Sequence, residues 1–243
     1  QLIENAQKMR TKQALSVKGI TNIENAVAGQ AQYYSGVANT NGFQHYAKYS
    51  TFFTSLAVVA GKDMNMQVVY DSNAQVFFED LINPESFGKE AADLAVKKLN
   101  PRKIKSQEVP VIFDYKIGSE LIRNFIQCIN GSAVAQEGMS YLKDSLGKSV
   151  FSTNINLIDD PLLPRGLGSS AIDVEGILPQ KRYVVEKGIL KTWLLDLRSA
   201  RKLGTNSTGH AYRSTRSVPS PRPTNFYMEA GKMSREDLFK SQK

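Results

Sequence analysis

A loop near the end of the sequence concentrates the residue types that do chemistry. Residues 199–217 read SARKLGTNSTGHAYRSTRS and contain His210, one of two histidines in the chain. Hydroxyl side chains, cations and glycines surround this histidine. The composition therefore suits a phosphate-binding loop, a hydrolase active site or a basic binding loop, and only the spacing of the residues can separate these three.

Spacing argues against the first two kinds of site. A P-loop needs glycines at fixed intervals, followed by Lys and Ser or Thr, between a strand and a helix. Residues 204–217 lack those intervals, and no helical pattern follows GLGSS at 166–170. There is no G-x-S-x-G motif for a serine hydrolase. A catalytic pairing of His210 with Ser207 or Asp196 stays open, but a loop histidine in a polar turn is the stronger interpretation.

Metal-dependent hydrolysis ordinarily needs about three protein ligands and an open position for water. The sequence has no H-E-x-x-H motif. Its best oxygen ligands for a hard cation are Asp159, Asp160, Asp173 and Glu175, but acids beside Gly and Pro are typical of turns. The single cysteine, Cys128, lies in an apolar segment where a thiol usually packs. From the residues alone, no metal or cofactor site is favoured in this chain, and a catalytic role for any of these residues is the weaker interpretation.

The positive charge of the chain is concentrated in one segment. The net charge is +8, and residues 181–222 contain ten Lys or Arg against two acids. Aromatic residues such as Trp193 lie among these cations, so a nucleic-acid-binding module is an alternative function. Many of the cations alternate with apolar residues on predicted strands, which is typical of a solvated face. Nucleic acid is therefore the weaker prediction.

Hydrophobic patterns predict an α+β fold with two domains, an α+β domain over residues 1–105 and a β-rich domain over residues 106–243. The first is predicted to have a weak helix over 2–15, an antiparallel meander over 23–78 and a helix from Pro84 to Leu99. Asn41-Gly42 and Gly61-Lys62-Asp63 supply turns, and His45 is predicted to be a structural residue in a half-exposed strand. The charged, proline-containing stretch NPRKIKSQEVP places the boundary near 105.

The second domain is predicted to be a curved antiparallel sheet packed on a buried helix. VPVIFD indicates a short buried strand, and an apolar stripe from Ile117 to Ile129 indicates the helix. A second helix is expected over 138–146. KRYVVEKGILKTWLLD at 181–196 predicts a hairpin with Trp193 in its second strand, and Gly204 should end a helical turn that begins at Ser199.

Several stretches together resemble one known family. They are LLPRGLGSSAIDVEG, KRYVVEKGILKTWLLDLRSARKLGTNSTGHA and PSPRPTN, supported upstream by VPVIF and YLKDSLGKSVF. This combination resembles the TldD/PmbA family, long labelled modulators of DNA gyrase, and more closely its PmbA (TldE) branch. The resemblance covers nearly the whole chain and is strongest over 109–225. Family members have more sequence on both sides, so we expect a chain truncated at both ends, with any open sheet edge covered by a partner or by self-association.

The resemblance implies a function. TldD-type subunits of the family carry H-E-x-x-x-H on a helix and form a zinc peptidase, and PmbA-type subunits lack the motif and pair with them. The pair is associated with maturation of a peptide antibiotic and degradation of an antitoxin. Here Arg123, Asn124 and Cys128 occupy the motif positions. Zinc is therefore expected in a TldD-type partner and not in this chain, and the rival interpretation is an independent peptidase.

The resemblance also changes the interpretation of the 199–217 loop, which is now expected to line a surface near the peptide channel or the partner interface. The residues expected to bind substrate or partner are Arg201, Lys202, Ser207, Thr208, His210 and Arg213.

One cysteine fits a reducing compartment, and no apolar run reaches the roughly 20 residues of a membrane-spanning helix. We therefore expect a cytoplasmic protein.

Overall fold

The structure of the chain is a computed structural model that describes residues 1–9, 12–38, 40 and 42–241, without the side chains of residues 12 and 13. The chain divides into two compact units, Gln1–Ser106 and Gln107–Lys243. Each unit has its own hydrophobic core. Among the described residues, no helix is both long enough and apolar enough to cross a membrane.

The first unit is an antiparallel meander of three strands in the order β1-β2-β3, with helices before and after it. The meander and the flanking helix are therefore confirmed. Gly61 has the positive φ of 78° that the turn after β2 requires, whereas Asn41 of the other predicted turn lies outside the described residues. In chain order the elements are α1 (Leu2–Met9), α2 (Lys12–Leu15), β1 (Ile20–Ala38), β2 (Gln44–Ala60), β3 (Gln67–Gln75) and α3 (Pro84–Lys97).

The core of the first unit lies between the helices and one face of the sheet. Leu56 and Val58 of β2 are buried there with Met9 of α1. The predicted start of α3 is confirmed: the Asn83 side chain accepts hydrogen bonds from backbone N–H groups of the first turn. α1 and α3 lie so close together that a Cβ at Gly88 would be only 2.5 Å from the carbonyl oxygen of Met9.

Strand β3 covers only part of β2. It pairs with Phe52–Ala60, and beyond Phe52 the first two strands continue as a two-stranded antiparallel ribbon. The ribbon consists of Ala31–Ala38 of β1 and Gln44–Thr51 of β2. His45 lies in it and is half-buried, as predicted.

The second unit contains a four-stranded antiparallel sheet in the order β6-β5-β4-β9 and a separate pair, β7-β8. The predicted hairpin is confirmed as β5 and β6, with Lys187 and Gly188 at positive φ between them. The elements are α4 (Tyr115–Cys128), α5 (Gly131–Val134), β4 (Leu157–Asp159), β5 (Arg182–Glu186), β6 (Ile189–Leu190), α6 (Leu197–Lys202), β7 (Ala211–Tyr212), β8 (Ser220–Pro221), β9 (Phe226–Met228) and α7 (Arg235–Lys240).

The core of the second unit forms around β4, whose three residues are all buried between β5 and β9. Ile129, at the end of α4, and Leu194 are fully buried beside it. Trp193 packs against this cluster and its indole N–H donates to the carbonyl of Leu142 at 3.4 Å. Trp193 is therefore a core residue as predicted, although it lies beyond the end of β6 rather than in a strand.

Three predictions for the second unit are wrong. Residues 109–113 form no strand, and Val109, Val111 and Phe113 are exposed. Residues 138–146 form turns rather than a helix. Helix α4 is buried only at its last turns, through Phe125 and Ile126. Apolar residues in the right period indicate a face that can pack, but they do not determine whether another element of the same unit reaches that face.

Candidate functional site

Helix α4 holds the three positions at which the family resemblance expects the zinc-binding motif. The Arg123 side chain is 69% exposed and forms an ion pair with Glu120 at 3.4 Å. Asn124 is exposed. The half-buried Cys128 thiol donates to the backbone carbonyl of Asn124 at 3.3 Å. Each of the three side chains thus either contacts a neighbour in the same helix or is exposed to solvent. Together they do not form a set of metal ligands.

The chemistry of these side chains does not fit a zinc ion. The guanidinium of Arg123 has no lone pair to give to a metal, and the amide of Asn124 cannot act as a general base. Cys128 is a single thiol, whereas zinc sites use several His, Cys or carboxylate ligands. Over residues 1–9, 12–38, 40 and 42–241, no group of three or more His, Cys, Asp or Glu is placed to hold a metal ion.

The 199–217 loop begins with a short helix whose ends are chemically defined. At the start of α6, the Asp196 carboxylate accepts from the backbone N–H of Ser199 at 2.7 Å and from its hydroxyl. The Ser199 hydroxyl in turn accepts from the backbone N–H of Asp196, which completes a capping box. Gly204, with φ +67°, follows the end of the helix as predicted. Asp196 is therefore a capping residue and not the partner of His210.

A buried polar network joins the loop to the central strand. The Nε2 atom of His210 lies 2.9 Å from Oδ2 of Asp159 in β4, and Nδ1 lies 2.8 Å from Oγ1 of Thr208. Thr224 donates to the same carboxylate through its backbone N–H at 2.8 Å and its hydroxyl at 2.6 Å. Thr208 also accepts from the backbone N–H of Leu195 at 2.6 Å. Three segments that are distant in sequence thus meet at one carboxylate.

The network of Asp159, His210 and Thr208 has the acid, base and hydroxyl of a catalytic triad in the same order. Its side chains, however, are not accessible to a substrate. The side chains of His210 and Asp159 are completely buried, and Thr208 is only 6% exposed. A catalytic hydroxyl must reach a substrate, and the hydroxyl of Thr208 is already committed to Leu195 and His210. Ser207 donates instead to the carbonyl of Leu195 at 3.2 Å. The network therefore fixes the loop against the sheet.

The electrostatics of Asp159 follow from its neighbours. Burial alone would raise the pKa of this carboxyl, but the hydrogen bond and charge of His210, together with Thr224, bring its pKa below the usual value. An ionised carboxylate only accepts hydrogen bonds, so the Nε2–H group of His210 donates to it. With the proton on Nε2, Nδ1 of a neutral imidazole accepts from the Thr208 hydroxyl, whereas Nδ1 of an imidazolium donates to it.

The lowered pKa of Asp159 predicts an acid-dependent stability. A carboxyl whose pKa is lower in the folded state contributes stability above its unfolded pKa of about 3.9 and loses it as the pH falls through the folded pKa. We expect the wild-type chain to have a higher free energy of unfolding than Asp159→Asn. This difference should be largest at about pH 5 and above, and it should decrease below about pH 4. Urea titrations at several pH values would measure it, and a difference constant from neutral pH to pH 3 would contradict the assignment.

The structure shows that the predicted binding residues differ in exposure. Arg201, Lys202 and Arg213 are exposed, and Ser207 is half-buried. Thr208 and His210 are buried, so the expectation that they line a surface is wrong. The reason is that His210 is needed to satisfy the buried carboxylate of Asp159, an acid that the sequence pattern assigns to a turn or to a cation site.

The other acids considered as cation ligands stabilise turns. Asp173 accepts from the backbone N–H groups of Glu175 and Ile177, each at 2.9 Å, and from that of Ala211 at 3.1 Å. Asp160 accepts from the backbone N–H of Leu162 at 3.1 Å. The turn interpretation is therefore correct for both. What the sequence analysis missed is the pairing of Asp159 with His210 across 51 positions, for which the only signal is an acid directly after an apolar strand pattern.

Several cations of the basic segment have partners. Lys181 pairs with Asp160 at 3.2 Å, and Lys191 pairs with Glu186 at 3.3 Å. Burial lowers the pKa of Arg182. Acids of the same unit thus partly neutralise the charges of Lys181 and Lys191, as expected for a solvated outer face.

Comparisons with known proteins agree with the sequence resemblance. A family model described as the PmbA/TldA metallopeptidase C-terminal domain matches residues 106–243, and one described as the central domain matches residues 1–99. A metalloprotease PmbA homolog of Buchnera aphidicola subsp. Acyrthosiphon pisum is 33% identical over 213 residues, which are 86% of this chain and 47% of that protein. Metalloprotease PmbA of Escherichia coli O157:H7 is 33% identical over 197 residues, 80% of this chain and 43% of that protein.

A solved structure has the same fold. The crystal structure of a proposed modulator of a DNA gyrase from Thermotoga maritima has a TM-score of 0.88 at 29% identity and covers 99% of this chain and 54% of that one. The chain thus spans about half of the length of its solved relative and less than half of the curated relatives. Since family models cover nearly all of the sequence, the chain belongs to the PmbA/TldA metallopeptidase family.

Proposed function

We propose that the chain is a PmbA-type, non-catalytic subunit of a two-subunit zinc-dependent peptidase. In this role it binds peptide substrate and positions a TldD-type partner, which holds the zinc. The observation that carries the proposal is the set of residues on α4, where Arg123, Asn124 and Cys128 supply neither a zinc site nor a general base. The PmbA names of its relatives support the same branch of the family.

The binding surface of this proposal is the exposed part of the 199–217 loop. Arg201 and Lys202 lie in the last turn of α6, and Arg213 follows β7. Cations of this kind suit carboxylates of a peptide or of a partner surface. The buried network around His210 supports them from below, because it fixes the segment between α6 and β7 to the sheet. Thr208 and His210 then act by positioning rather than by contact, and Ser207 shares this part through Leu195.

The surface proposal predicts a selective loss of assembly. We expect the triple variant Arg201→Ala, Lys202→Ala, Arg213→Ala to bind a TldD-type subunit about tenfold or more weakly, because three exposed charges at an interface are removed. Its melting temperature should stay near that of the wild-type chain, since these side chains are solvated. Light scattering and a peptide-cleavage assay of the mixed subunits would measure assembly and processing.

A matched control removes the same charge elsewhere. Lys89, Lys97 and Lys98 are exposed cations of the first unit, and their triple alanine variant should assemble and process peptide normally. If both triple variants behave like the wild-type chain, the loop does not bind substrate or partner. If both weaken assembly equally, total charge rather than this surface is responsible.

The two rival functions make different predictions. A nucleic-acid-binding module should bind duplex DNA with an affinity that falls steeply between roughly 50 and 200 mM salt, whereas the peptidase subunit should show weak DNA binding at both. An independent peptidase should cleave peptide without a partner. For the location of the protein, a reducing compartment such as the cytoplasm is the proposal that fits its single cysteine.

A further inference from the structure

One segment of the second unit carries exposed cations without acids. Residues 197–228 contain six Lys or Arg, all of them exposed, and no Asp or Glu. Among the residues that the structure describes, none of these six cations forms an ion pair, whereas Lys181 and Lys191 of the same unit each pair with an acid. We name the six the cationic surface: Arg198, Arg201, Lys202, Arg213, Arg216 and Arg222.

Two elements present the cationic surface, and one short segment contacts both of them. α6 carries three of the cations, and the other three lie in or beside the hairpin that β7 and β8 form. A Cβ at Gly131 would lie 2.5 Å from the hydroxyl oxygen of Ser199 in α6. The side-chain amide of Asn130 donates to the carbonyl of Pro221 in β8 at 2.7 Å. α6 and the hairpin therefore lie side by side, and their cations form one positive patch.

The hairpin holds its arginines in defined positions. The guanidinium of Arg222 lies over the ring of Tyr212, 4.5 Å from the ring centre. Such a contact fixes the side chain, and its N–H groups can still donate to a carboxylate. Arg216 lies in the tip of the hairpin, where the backbone N–H of Ser214 donates to the hydroxyl of Ser217 at 3.0 Å. Donors that are already positioned lose less conformational entropy when they bind a ligand.

The aromatic residues of the segment indicate which anion fits the cationic surface. Proteins that bind single-stranded nucleic acid combine cations with rings on which the bases stack. Trp193 and Phe226 instead pack against the core of the second unit, and Arg222 covers one face of Tyr212. A carboxylate needs only the N–H donors of the cations. The surface therefore suits acidic side chains of a peptide better than the bases of a nucleic acid.

We propose that the cationic surface binds acidic stretches of peptide, so that the subunit prefers substrates rich in Asp and Glu. Six like charges on one patch repel each other, and acids of a bound peptide would remove that repulsion. Glu175 lies beside α6, but its carboxylate accepts from the backbone N–H of Leu197 at 2.8 Å. The inference rests on the proposed function, which supplies peptide as the ligand, and it adds the class of peptide and the hairpin cations Arg216 and Arg222.

Two labelled peptides of equal length test the proposal. One is a Gly-Ser peptide with Glu at every second position, and the other has Gln at those positions. Fluorescence anisotropy would measure their binding to the chain alone. At low salt the Glu peptide should bind about tenfold or more tightly than the Gln peptide, because only the Glu peptide can pair with the cations. The difference should shrink as salt is added, since salt screens exposed charges.

A double variant and a matched control locate the binding. Arg216→Gln with Arg222→Gln should bind the Glu peptide about fivefold more weakly, because two exposed charge pairs are lost. Arg216→Gln alone, at the exposed tip of the hairpin, should give a smaller loss without a change in melting temperature. The control is Lys143→Gln with Lys148→Gln, which removes two exposed cations of the same unit and should bind the Glu peptide like the wild-type chain.

The outcomes separate this inference from the proposed function. Equal binding of the two peptides, or equal losses in the two double variants, would overturn the inference. So would a single-stranded DNA oligonucleotide that displaces the labelled Glu peptide at a lower concentration than unlabelled Glu peptide does. If the chain assembles with a TldD-type subunit but shows no preference for Glu, only the inference fails. If it prefers the Glu peptide but does not assemble, the proposed function fails and the inference stands.

Discussion

Replacing His210 with alanine should destabilise the second unit by about 3 kcal/mol or more. The imidazole is completely buried and bonds to Asp159 on one side and Thr208 on the other. Its removal leaves a buried carboxylate with Thr224 as its remaining hydrogen-bond partner and opens a cavity where the ring was. Breaking a buried charged pair by deleting one member typically costs about 3 to 5 kcal/mol.

The chain offers a unit-specific readout and a matched control for this prediction. Trp193 is the only tryptophan and packs in the core of the second unit, so its fluorescence during urea unfolding reports on that unit. The control is His45→Ala, because His45 lies half-buried on the ribbon of the first unit. It should leave the tryptophan transition where it is. A His210→Ala chain with the wild-type urea midpoint would contradict the structural role of the network.

The fold of the loop around His210 depends on specific residues at several positions. The S-T-G-H-A stretch places Thr208 and His210 two positions apart, so that both can reach inward past Gly209. Gly209 has φ +73°, and a Cβ there would lie 2.9 Å from Cα of Pro179. The loop is therefore shaped by internal packing and hydrogen bonding, and its exposed cations are carried on a fixed scaffold.

Local signals in the sequence were sufficient to predict much of the fold. The meander follows from alternating residues bounded by Gly61, and α3 follows from Asn83 and Pro84 at its start. The hairpin of β5 and β6 follows from Lys187-Gly188. In each case the residues that decide the structure are neighbours in the chain, so a short window contains the necessary information.

Features that depend on distant partners could not be predicted in this way. The burial of His210 requires Asp159, 51 positions earlier, and Thr224 on a third segment. The exposed apolar residues of α4, such as Ile117 and Leu121, show the opposite case. Their spacing is correct for a packed helix, but the described part of the second unit places no layer over them. The spacing of apolar residues shows which face of a helix can pack, and tertiary contacts determine whether that face is buried.

The proposal that α4 holds no catalytic centre can be tested directly by metal analysis and cleavage together. The chain, purified alone and dialysed after exposure to zinc, should retain far less than one zinc per polypeptide and should not cleave peptide. Arg123 and Asn124 cannot replace the ligand and the base of the motif, and one thiol is insufficient. Addition of a TldD-type subunit should bring both zinc and cleavage, with the metal on the added subunit. One tightly bound zinc per chain, lost in Cys128→Ser and accompanied by cleavage without a partner, would contradict the non-catalytic role.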